Sequence, residues 1–421
     1  MTGSLIVRGV RDFAGKTRDV FVAAGFVTQE PPSDGGVIDG RGLLALPRLA
    51  DAHVHLDKTL LGERWFPHRP ADTIEERTRL ERRILESPDV APLQIRAGRL
   101  IELAVANGTT LLQSHVDVGA TTESLSRVET LLAVAAGYAD RVDVALVAFP
   151  QDGVLRHRGV RQSLDAALAL GAEAVGGLDP QSLDGDRDGH LDVLFELAQR
   201  HGCRIDIHLH EPGDVGTATI RSVAERARAL GLEGRCAISH AYALAHVDDV
   251  ELGRTATAMA EGGISLVTSV PGDGRLPPLA RLRDLGVNVI VASDNVRDSW
   301  SPFGDADQVA RAALTAYCSN WREDTELSAA LRLVTVNPAT ALARPQALLE
   351  PGDPADFTLL PAESLGEALV TAPRERLVIR GGRVISGDLG RVELRPNFDR
   401  GGQRARVGAE RIDSLSETAK P

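Results

Sequence analysis

The chain has 421 residues, of which 43% are hydrophobic and 25% are charged, as in ordinary soluble proteins that bury a large core. Its 47 basic and 59 acidic residues give a formal net charge of −12, which argues against a nucleic-acid-binding or anionic-membrane surface. The three cysteines form no C-x-x-C pair, and we see no signal-peptide pattern and no apolar run of membrane-spanning length. We therefore expect a cytoplasmic protein.

Both ends of the chain carry short strand-like segments separated by turn residues. These segments are 5–10 and 19–23 near the start, and 356–360 and 377–385 near the end. We predict that residues 1–48 and 346–421 together form one small β-sandwich domain. The last residues, about 25 in number, are polar and rich in glycine and arginine, and we expect little packing from them.

Residues 49–345 alternate between strand-like and helix-like segments. The strand-like segments are 43–56, 109–118, 141–149, 173–179, 204–210, 235–241, 263–270 and 287–294. The helix-like segments are 122–137, 160–170, 188–201, 215–231, 246–262 and 306–317. Eight strands separated by helices predict an α/β fold, a parallel (β/α)8 TIM barrel. The competing fold, an open doubly wound sheet, would carry a glycine-rich loop after its first strand, where this chain has a His-x-His pair.

Polar residues recur at the predicted carboxyl ends of the barrel strands, where TIM barrels hold their active sites. Six of the eleven histidines lie at such ends: His53, His55, His115, His208, His210 and His240. Because burying an unpartnered polar group is costly, this clustering predicts a site. The other five histidines are expected to be solvated or capping residues; they are His68, His157, His190, His201 and His246.

His53 and His55 are two residues apart, so on a strand they face the same side. Two imidazoles on one face suit the first two ligands of a divalent metal ion. A pair of buried histidines bonded to the backbone fits the short motif equally well.

Several motifs along nearly the whole chain resemble the amidohydrolase superfamily of metal-dependent hydrolases, in particular its bacterial cytosine deaminase branch. The matching segments are 53–57, 114–118, 147–151, 208–211, 239–240 and 294–300. Other segments are more similar to N-isopropylammelide isopropylamidohydrolase, a triazine-degrading relative: 57–59, 62–64, 176–180 and 293–304. The resemblance supports the barrel fold.

The resemblance implies that His53, His55, His208 and Asp294 bind one divalent ion, for which the mixed nitrogen and oxygen ligands suit Zn²⁺ or Fe²⁺. It further implies that a metal-bound hydroxide attacks the amine-bearing carbon of the substrate ring. Three residues are predicted to be catalytic. Asp294 accepts the proton of the attacking water and passes it to the leaving nitrogen, Glu211 protonates the adjacent ring nitrogen, and His240 hydrogen-bonds the water or the tetrahedral intermediate.

Gln151, Trp300, Lys58 and His210 are predicted to bind the substrate. The amide of Gln151 can donate and accept along the edge of a pyrimidine or triazine ring, and Trp300 offers a flat apolar face. Lys58 either binds a ring oxygen or pairs with Asp57 at the surface.

Two further strand-end residues, His115 and Asp117, either form a buried pair beneath the site or contact the substrate directly. The sequence alone does not decide between these two arrangements.

The function implied is a cytosine deaminase-like hydrolase that acts on carbon–nitrogen bonds of a small nitrogen heterocycle and assembles as a homo-oligomer. One alternative is a hydrolase of the N-isopropylammelide type that releases an alkylamine. Asn295 keeps this alternative open, because cytosine deaminases usually carry a second carboxylate at the position that follows the metal-binding aspartate.

Another alternative is a catalytically silent binding module. The unrelated zinc nucleobase deaminases are excluded, since their H-x-E and P-C-x-x-C motifs are missing from the sequence.

Overall fold

The computed structural model describes residues 3–272, 274–387 and 395–396, which contain two β-sheets. The terminal sheet has nine strands: β1 (Leu5–Arg11), β2 (Thr17–Ala23), β3 (Phe26–Thr28), β4 (Gly36–Asp39), β5 (Leu43–Pro47), β14 (Phe357–Pro361), β15 (Leu377–Arg380), β16 (Arg383–Ser386) and β17 (Arg395–Pro396). The barrel sheet has eight: β6 (Leu49–Val54), β7 (Thr109–Asp117), β8 (Asp143–Phe149), β9 (Ala174–Leu178), β10 (Arg204–Leu209), β11 (Cys236–His240), β12 (Ser265–Thr268) and β13 (Asn288–Val291).

The helices lie mostly between the barrel strands. They are α1 (Ile74–Leu85), α2 (Leu93–Ala106), α3 (Thr122–Gly137), α4 (Val160–Leu170), α5 (Pro180–Asp184), α6 (Arg187–His201), α7 (Gly213–Leu230), α8 (Asp249–Glu261), α9 (Leu279–Asp284), α10 (Gln308–Cys318), α11 (Asp324–Arg332), α12 (Val336–Ala341) and α13 (Leu365–Thr371). The bounds of α3 and α4 agree with the sequence prediction, whereas α1 and α2 were not predicted. Over the described ranges, no helix combines the length and apolarity needed to cross a bilayer.

The barrel strands pair in parallel and in chain order, from β6 to β13. All nine residues of β7 are buried, as expected for a parallel strand that is covered on both faces. The ring closes between its first and last strands, where Val54 and Asp294 form a parallel bridge and the Asp294 N–H donates to the His53 carbonyl at 2.7 Å. The predicted (β/α)8 barrel is confirmed.

The predicted strand 43–56 is in fact two strands that belong to different sheets. β5 pairs antiparallel with β14 in the terminal sheet, while β6 pairs with β7 in the barrel. The change of sheet occurs at Arg48, which is buried and whose Nη1 lies 3.2 Å from Asp143 and 3.5 Å from Asp356. The expectation of one strand was wrong because the partner of β5 is supplied by a distant part of the chain.

The terminal sheet is built from both ends of the chain, as predicted. It branches at β1, which pairs with β2, β4 and β5, and it encloses an apolar interior that includes Val7, Val22, Ile38, Phe357 and Ile379. The exact domain limits, 1–48 with 346–421 and 49–345, stay predictions. The predicted polar tail lies outside the described residues.

Arg376 joins the terminal sheet to the barrel. Its guanidinium makes two bonds of 2.8 Å to the Asp307 carboxylate, which also caps the first turn of α10. Only 1% of the Arg376 side chain and 4% of the Asp307 side chain are exposed. The ion pair is therefore buried, and the loss of one partner would leave the charge of the other buried and unpaired.

We predict that Arg376→Met lowers the free energy of unfolding by about 3–5 kcal/mol, because it leaves the Asp307 carboxylate buried without its charged partner. The measurement is urea unfolding followed by circular dichroism. The matched control is Arg374→Met, since 82% of the Arg374 side chain is exposed. Equal stabilities of the two variants would contradict the prediction.

Candidate active site

The predicted metal ligands converge at the carboxyl ends of the barrel strands. His53 lies in β6 and His55 follows it, His208 lies near the end of β10, and Asp294 follows β13. The Asp294 Oδ1 atom is 3.5 Å from His53 Nε2 and 3.3 Å from His55 Nε2. The ring centroids of His53 and His208 are 4.5 Å apart. The barrel thus brings together residues that are far apart in the sequence.

Potential metal-ligand atoms form two groups, and His53 belongs to both. Within each group the ligand atoms lie within 4.8 Å of one another. The first group is His53, His55, His115 and His208, and the second is His53, His240 and Asp294. Together these six residues are called the histidine cluster below. His115 was not predicted as a ligand, but its imidazole lies among those of the predicted ligands.

The histidine cluster suits a cation because its buried nitrogens lack protein partners. Among the described residues, His53 Nε2, His55 Nδ1 and both ring nitrogens of His208 are buried without a hydrogen-bond partner. Buried polar atoms are nearly always satisfied in folded proteins, so several nitrogens without protein partners around one point fit the role of metal ligands. The set of imidazoles and one carboxylate matches the ligands of zinc and ferrous sites.

The pKa shifts of three of the proposed ligands, His55, His208 and Asp294, also suit a metal. Burial, followed by repulsion from Lys58, lowers the pKa of His55 well below its ordinary value, and burial lowers that of His208 likewise. Burial alone would raise the pKa of Asp294, but its contacts with His53 and His55 outweigh burial and hold it well below its usual range. At neutral pH the cluster therefore offers unprotonated His55 and His208 and an ionised carboxylate, the states that bind divalent metals.

His115 and Asp117 do not form the buried pair that we considered. His115 is fully buried, and burial together with repulsion from His53 lowers its pKa to about 4. The Asp117 Oδ2 atom instead accepts hydrogen bonds from Arg82 at 3.0 Å and Arg127 at 3.1 Å. Asp117 therefore anchors surrounding helices rather than the cluster.

A cavity of about 680 Å³ opens above the histidine cluster. It is lined by His55, His208, His240 and Asp294 and by all four predicted substrate-binding residues, Lys58, Gln151, His210 and Trp300. Part of the remaining wall is apolar and includes Ile74, Leu178, Val270 and Leu314. The structure thus places the predicted binding residues around one space next to the cluster.

Lys58 is buried at the wall of this cavity, so the alternative of a surface pair with Asp57 is wrong. Its ammonium donates to Gln151 Oε1 and lies 3.5 Å from Glu81 and 5.1 Å from the centroid of the Trp300 ring. Burial lowers the pKa of Lys58, but Glu81 and other nearby carboxylates outweigh it and raise the pKa above its ordinary value. Lys58 is therefore a fixed cation facing the cavity.

Helix α1 supplies two side chains that hold the cavity wall and that the sequence analysis missed. The buried residues of α1 are polar, Thr78 and Glu81, three residues apart on one face. Thr78 Oγ1 accepts a bond of 3.0 Å from Gln151 Nε2, and Glu81 accepts a bond from the Trp300 indole N–H. The only signal in the sequence was a threonine and a glutamate at helical spacing, which is common on solvated faces.

His210 is held by Asp179, the last residue of the predicted fourth barrel strand. The Asp179 carboxylate lies 2.9 Å from His210 Nδ1 and accepts a second bond of 2.6 Å from the His210 backbone N–H. The His210 ring stacks on His240 with 4.5 Å between centroids. Because Nδ1 is engaged, the other nitrogen of His210, Nε2, is the one available to the cavity.

The structure does not bring Glu211 to the cavity wall. Its Oε1 atom accepts backbone N–H bonds of 2.8 Å from Gln181 and 2.7 Å from Ser182, and its Oε2 accepts the Thr219 hydroxyl at 3.0 Å. N–H groups in the first turn of a helix have no acceptor within the helix, so those of α5 bind the Glu211 carboxylate. The predicted transfer of a proton from Glu211 to the substrate therefore has no support in this geometry.

His190 was expected to be solvated or capping, and this expectation was wrong. It is fully buried, and its Nδ1 lies 2.6 Å from Asp184. The Asp184 carboxylate also accepts the backbone N–H of Val154 at 2.9 Å. The pair thus fixes the loop that begins with Gln151.

Three residues around the site have left-handed backbone conformations that are unusual outside glycine. The φ angles are 38° at Asp179, 73° at His240 and 60° at Asp294. Such angles cost free energy and persist where the surrounding structure holds them, often at functional sites.

Comparison with known proteins identifies the family. Residues 93–386 match the Amidohydrolase family. The chain belongs to this family. The predictions of an amidohydrolase and of its superfamily are thereby confirmed.

The chain is similar to the crystal structure of N-isopropylammelide isopropylaminohydrolase from Burkholderia multivorans ATCC 17616. The identity is 34%, the TM-score is 0.86, and the match covers 92% of this chain and 99% of that one. For 5-methylcytosine deaminase from Klebsiella pneumoniae liganded with phosphonocytosine, the identity is 27% and the TM-score 0.80, with 94% of this chain and 100% of that one covered. The chain is also 30% identical to pterin deaminase of Rhizobium rhizogenes (strain K84 / ATCC BAA-868), covering 88% of both proteins.

We predict that His208→Ala weakens Zn²⁺ binding by more than about 100-fold, because loss of a ligand should exceed the 10–100-fold effect of losing a residue behind a ligand. The measurement is titration of metal-free protein in competition with a chelator. The control is His246→Ala, which removes an exposed histidine. Equal Zn²⁺ affinities in both variants would contradict the assignment of the cluster as a metal centre.

Proposed function

We propose that this protein is a mononuclear metal-dependent deaminase that acts on a cytosine-like pyrimidine or an aminotriazine ring. The observation that carries the proposal is the histidine cluster at the floor of a cavity whose wall presents an amide, an ammonium and an indole. Membership of the amidohydrolase family supports it, and so do relatives named for the same kind of ring. A homo-oligomeric state stays a prediction.

We assign His53, His55, His208 and Asp294 as ligands of one Zn²⁺ or Fe²⁺ ion. Bound there, the ion would lower the pKa of a coordinated water from about 15.7 to about 7. The fourth barrel strand supports a single ion, because it is followed by Asp179, which is bonded to His210, rather than by a lysine able to bridge two metals.

Gln151, Lys58 and Trp300 would orient the ring. The Gln151 amide uses one acceptor site for Lys58 and one N–H for Thr78, so one acceptor site and one N–H remain for the amide edge of the substrate. Lys58 would donate to a ring oxygen, and the Trp300 indole, fixed by Glu81, would pack against the ring face. Positioning of this kind accounts for a large share of enzymatic rate enhancement.

Two residues would move protons. Asp294 would accept a proton from the attacking water, and His210, oriented by Asp179, would deliver a proton to the departing nitrogen. Water oxygen forms a bond to the ring carbon as Asp294 takes one water proton, and the carbon–nitrogen bond breaks as His210 protonates the nitrogen. The proton held by Asp294 then passes to His210 and restores it. The second water proton stays on the new hydroxyl group, so the products are the hydroxy tautomer of the oxo ring and ammonia or an alkylamine. His240, stacked on His210 and near Asp294, would stabilise the charge that develops on oxygen.

Release of an alkylamine is a second candidate. The cavity exceeds the size of one small ring, and its apolar wall, with Ile74, Leu178, Val270 and Leu314, would accommodate an alkyl group on the amine. The similarity to N-isopropylammelide isopropylaminohydrolase supports the same reading. The two candidates share every proposed step and differ in the leaving group.

A substrate screen tests the function. We expect zinc- or iron-loaded enzyme to hydrolyse at least one of cytosine, isocytosine, 5-methylcytosine, ammelide, N-isopropylammelide and pterin. Ammonia and alkylamine are measured separately, so ammonia supports the deaminase and isopropylamine supports the second candidate. Absence of turnover for all six compounds, in protein that retains its metal, would contradict the proposal.

Two neighbouring variants test the assignment of the proton donor. We expect His210→Asn to lower kcat by about 100-fold or more, because it removes an acid–base group at the cavity. Glu211→Gln should change kcat much less at equal metal content, because its carboxylate faces α5 and Thr219. A larger loss of kcat in Glu211→Gln than in His210→Asn would reverse the assignment.

A further inference from the structure

A chain of hydrogen bonds crosses the barrel interior and ends at the histidine cluster. Arg204, at the start of β10, donates through Nη1 to Gln113 Oε1, and Gln113 Nε2 donates to Asp206 Oδ2 at 2.9 Å. Asp206 Oδ1 accepts the Ser239 hydroxyl at 2.8 Å, and Ser239 Oγ lies 2.8 Å from His53 Nδ1. We call Arg204, Gln113, Asp206 and Ser239 the polar relay.

Three of the four residues of the polar relay are buried, and Arg204 at its far end is 12% exposed. Gln113 is 2% exposed, and Asp206 and Ser239 are each 1% exposed. Gln113 Nε2 also donates to the carbonyl of Ala52 at 3.0 Å, which ties the relay to the backbone beside His53. Burying this many polar groups is costly unless each has its partner, so the arrangement is tightly constrained.

The direction of each hydrogen bond follows from the chemistry of its groups. Arginine only donates, so Gln113 must turn Oε1 towards Arg204 and its N–H groups towards Asp206. An ionised carboxylate only accepts, so the single proton of Ser239 goes to Asp206. Ser239 Oγ is then left as an acceptor for the Nδ1–H of His53.

This polarity fixes the tautomer of His53. With the proton on Nδ1, the lone pair lies on Nε2, the atom that is 3.5 Å from Asp294 Oδ1 in the cluster. By contrast, within the described part of the chain, His55 Nδ1 and both nitrogens of His208 have no hydrogen-bond partner. His53 is therefore the proposed ligand whose tautomer the protein sets in advance.

We propose that the polar relay holds His53 in the metal-binding tautomer and orientation, with Arg204, Gln113, Asp206 and Ser239 as positioning residues. The proposal rests on the metal centre assigned above. The relay also extends to the opposite end of the barrel, where Arg204 lies 3.7 Å from Glu173 and Glu173 pairs with Arg344 at 2.8 Å. Residues remote from the cavity thus contribute to metal affinity.

The test is the Zn²⁺ affinity of metal-free protein, measured by competition with a chelator, together with the visible spectrum of the Co²⁺ form. We expect Ser239→Ala and Asp206→Asn to weaken Zn²⁺ binding by about 10–100-fold and to alter the Co²⁺ spectrum. Arg204→Met, which is separated from His53 by four hydrogen bonds, should cost less than tenfold. Ser239→Ala removes a single oxygen, so it is the variant expected to keep the fold, as circular dichroism would verify.

The matched control is Asp307→Asn, which disturbs a buried carboxylate outside the relay. We expect it to lower stability while leaving Zn²⁺ affinity and the Co²⁺ spectrum unchanged. Tight Zn²⁺ binding by wild type with unchanged affinity in both Ser239→Ala and Asp206→Asn would overturn the relay alone. An equal loss of affinity in Asp307→Asn would also overturn it, whereas a wild-type protein without Zn²⁺ affinity would overturn the metal centre itself and the relay with it.

Discussion

The backbone bond between Asp294 and His53 is the interaction on which the rest of the site depends. It closes the barrel between β6 and β13, and it lies at the level of the His-x-His pair. This bond fixes which residues of the first and last strand ends face each other, so a shift of the seam by one residue would separate the Asp294 carboxylate from the imidazoles. Ring closure and ligand assembly are therefore one structural event.

The site is supported from two sides by polar groups rather than by apolar packing. Above it, α1 contributes Thr78 and Glu81, which hold Gln151 and Trp300 at the cavity wall. Below it, the polar relay bonds to His53. Directional bonds fix orientation more narrowly than dispersion contacts do, and an enzyme that must place a ring and a metal within a fraction of an ångström benefits from that.

Local patterns in the sequence were enough to predict most of the barrel. Helices α3 and α4 begin and end where the periodicity indicates, and the histidines at strand ends converge as the barrel requires. The assignment of β5 to the terminal sheet was not predictable from local pattern, because its partner β14 lies some three hundred residues further along the chain. Sheet membership is decided by pairing, and a run of apolar residues does not specify its partner.

The side-chain contacts that the sequence did not reveal have a common cause. Glu211, Glu81 and His190 are each directed by a partner brought near by the fold: the first turn of α5, the Trp300 indole and Asp184. A carboxylate or imidazole has the same appearance in the sequence whether it faces a substrate, a helix terminus or another buried side chain. Distances between elements decide which of these it meets, and those distances follow from the complete fold.

The two-ended terminal sheet also has a consequence for biosynthesis. All five residues of β5 pair with β14, so this strand lacks its main partner until residues 357–361 have left the ribosome. By then every barrel strand has been synthesised, and the edge of β5 has had no β14 to pair with. Unpaired strand edges can template aggregation, so the late synthesis of β14 extends the time for which β5 lacks this protection.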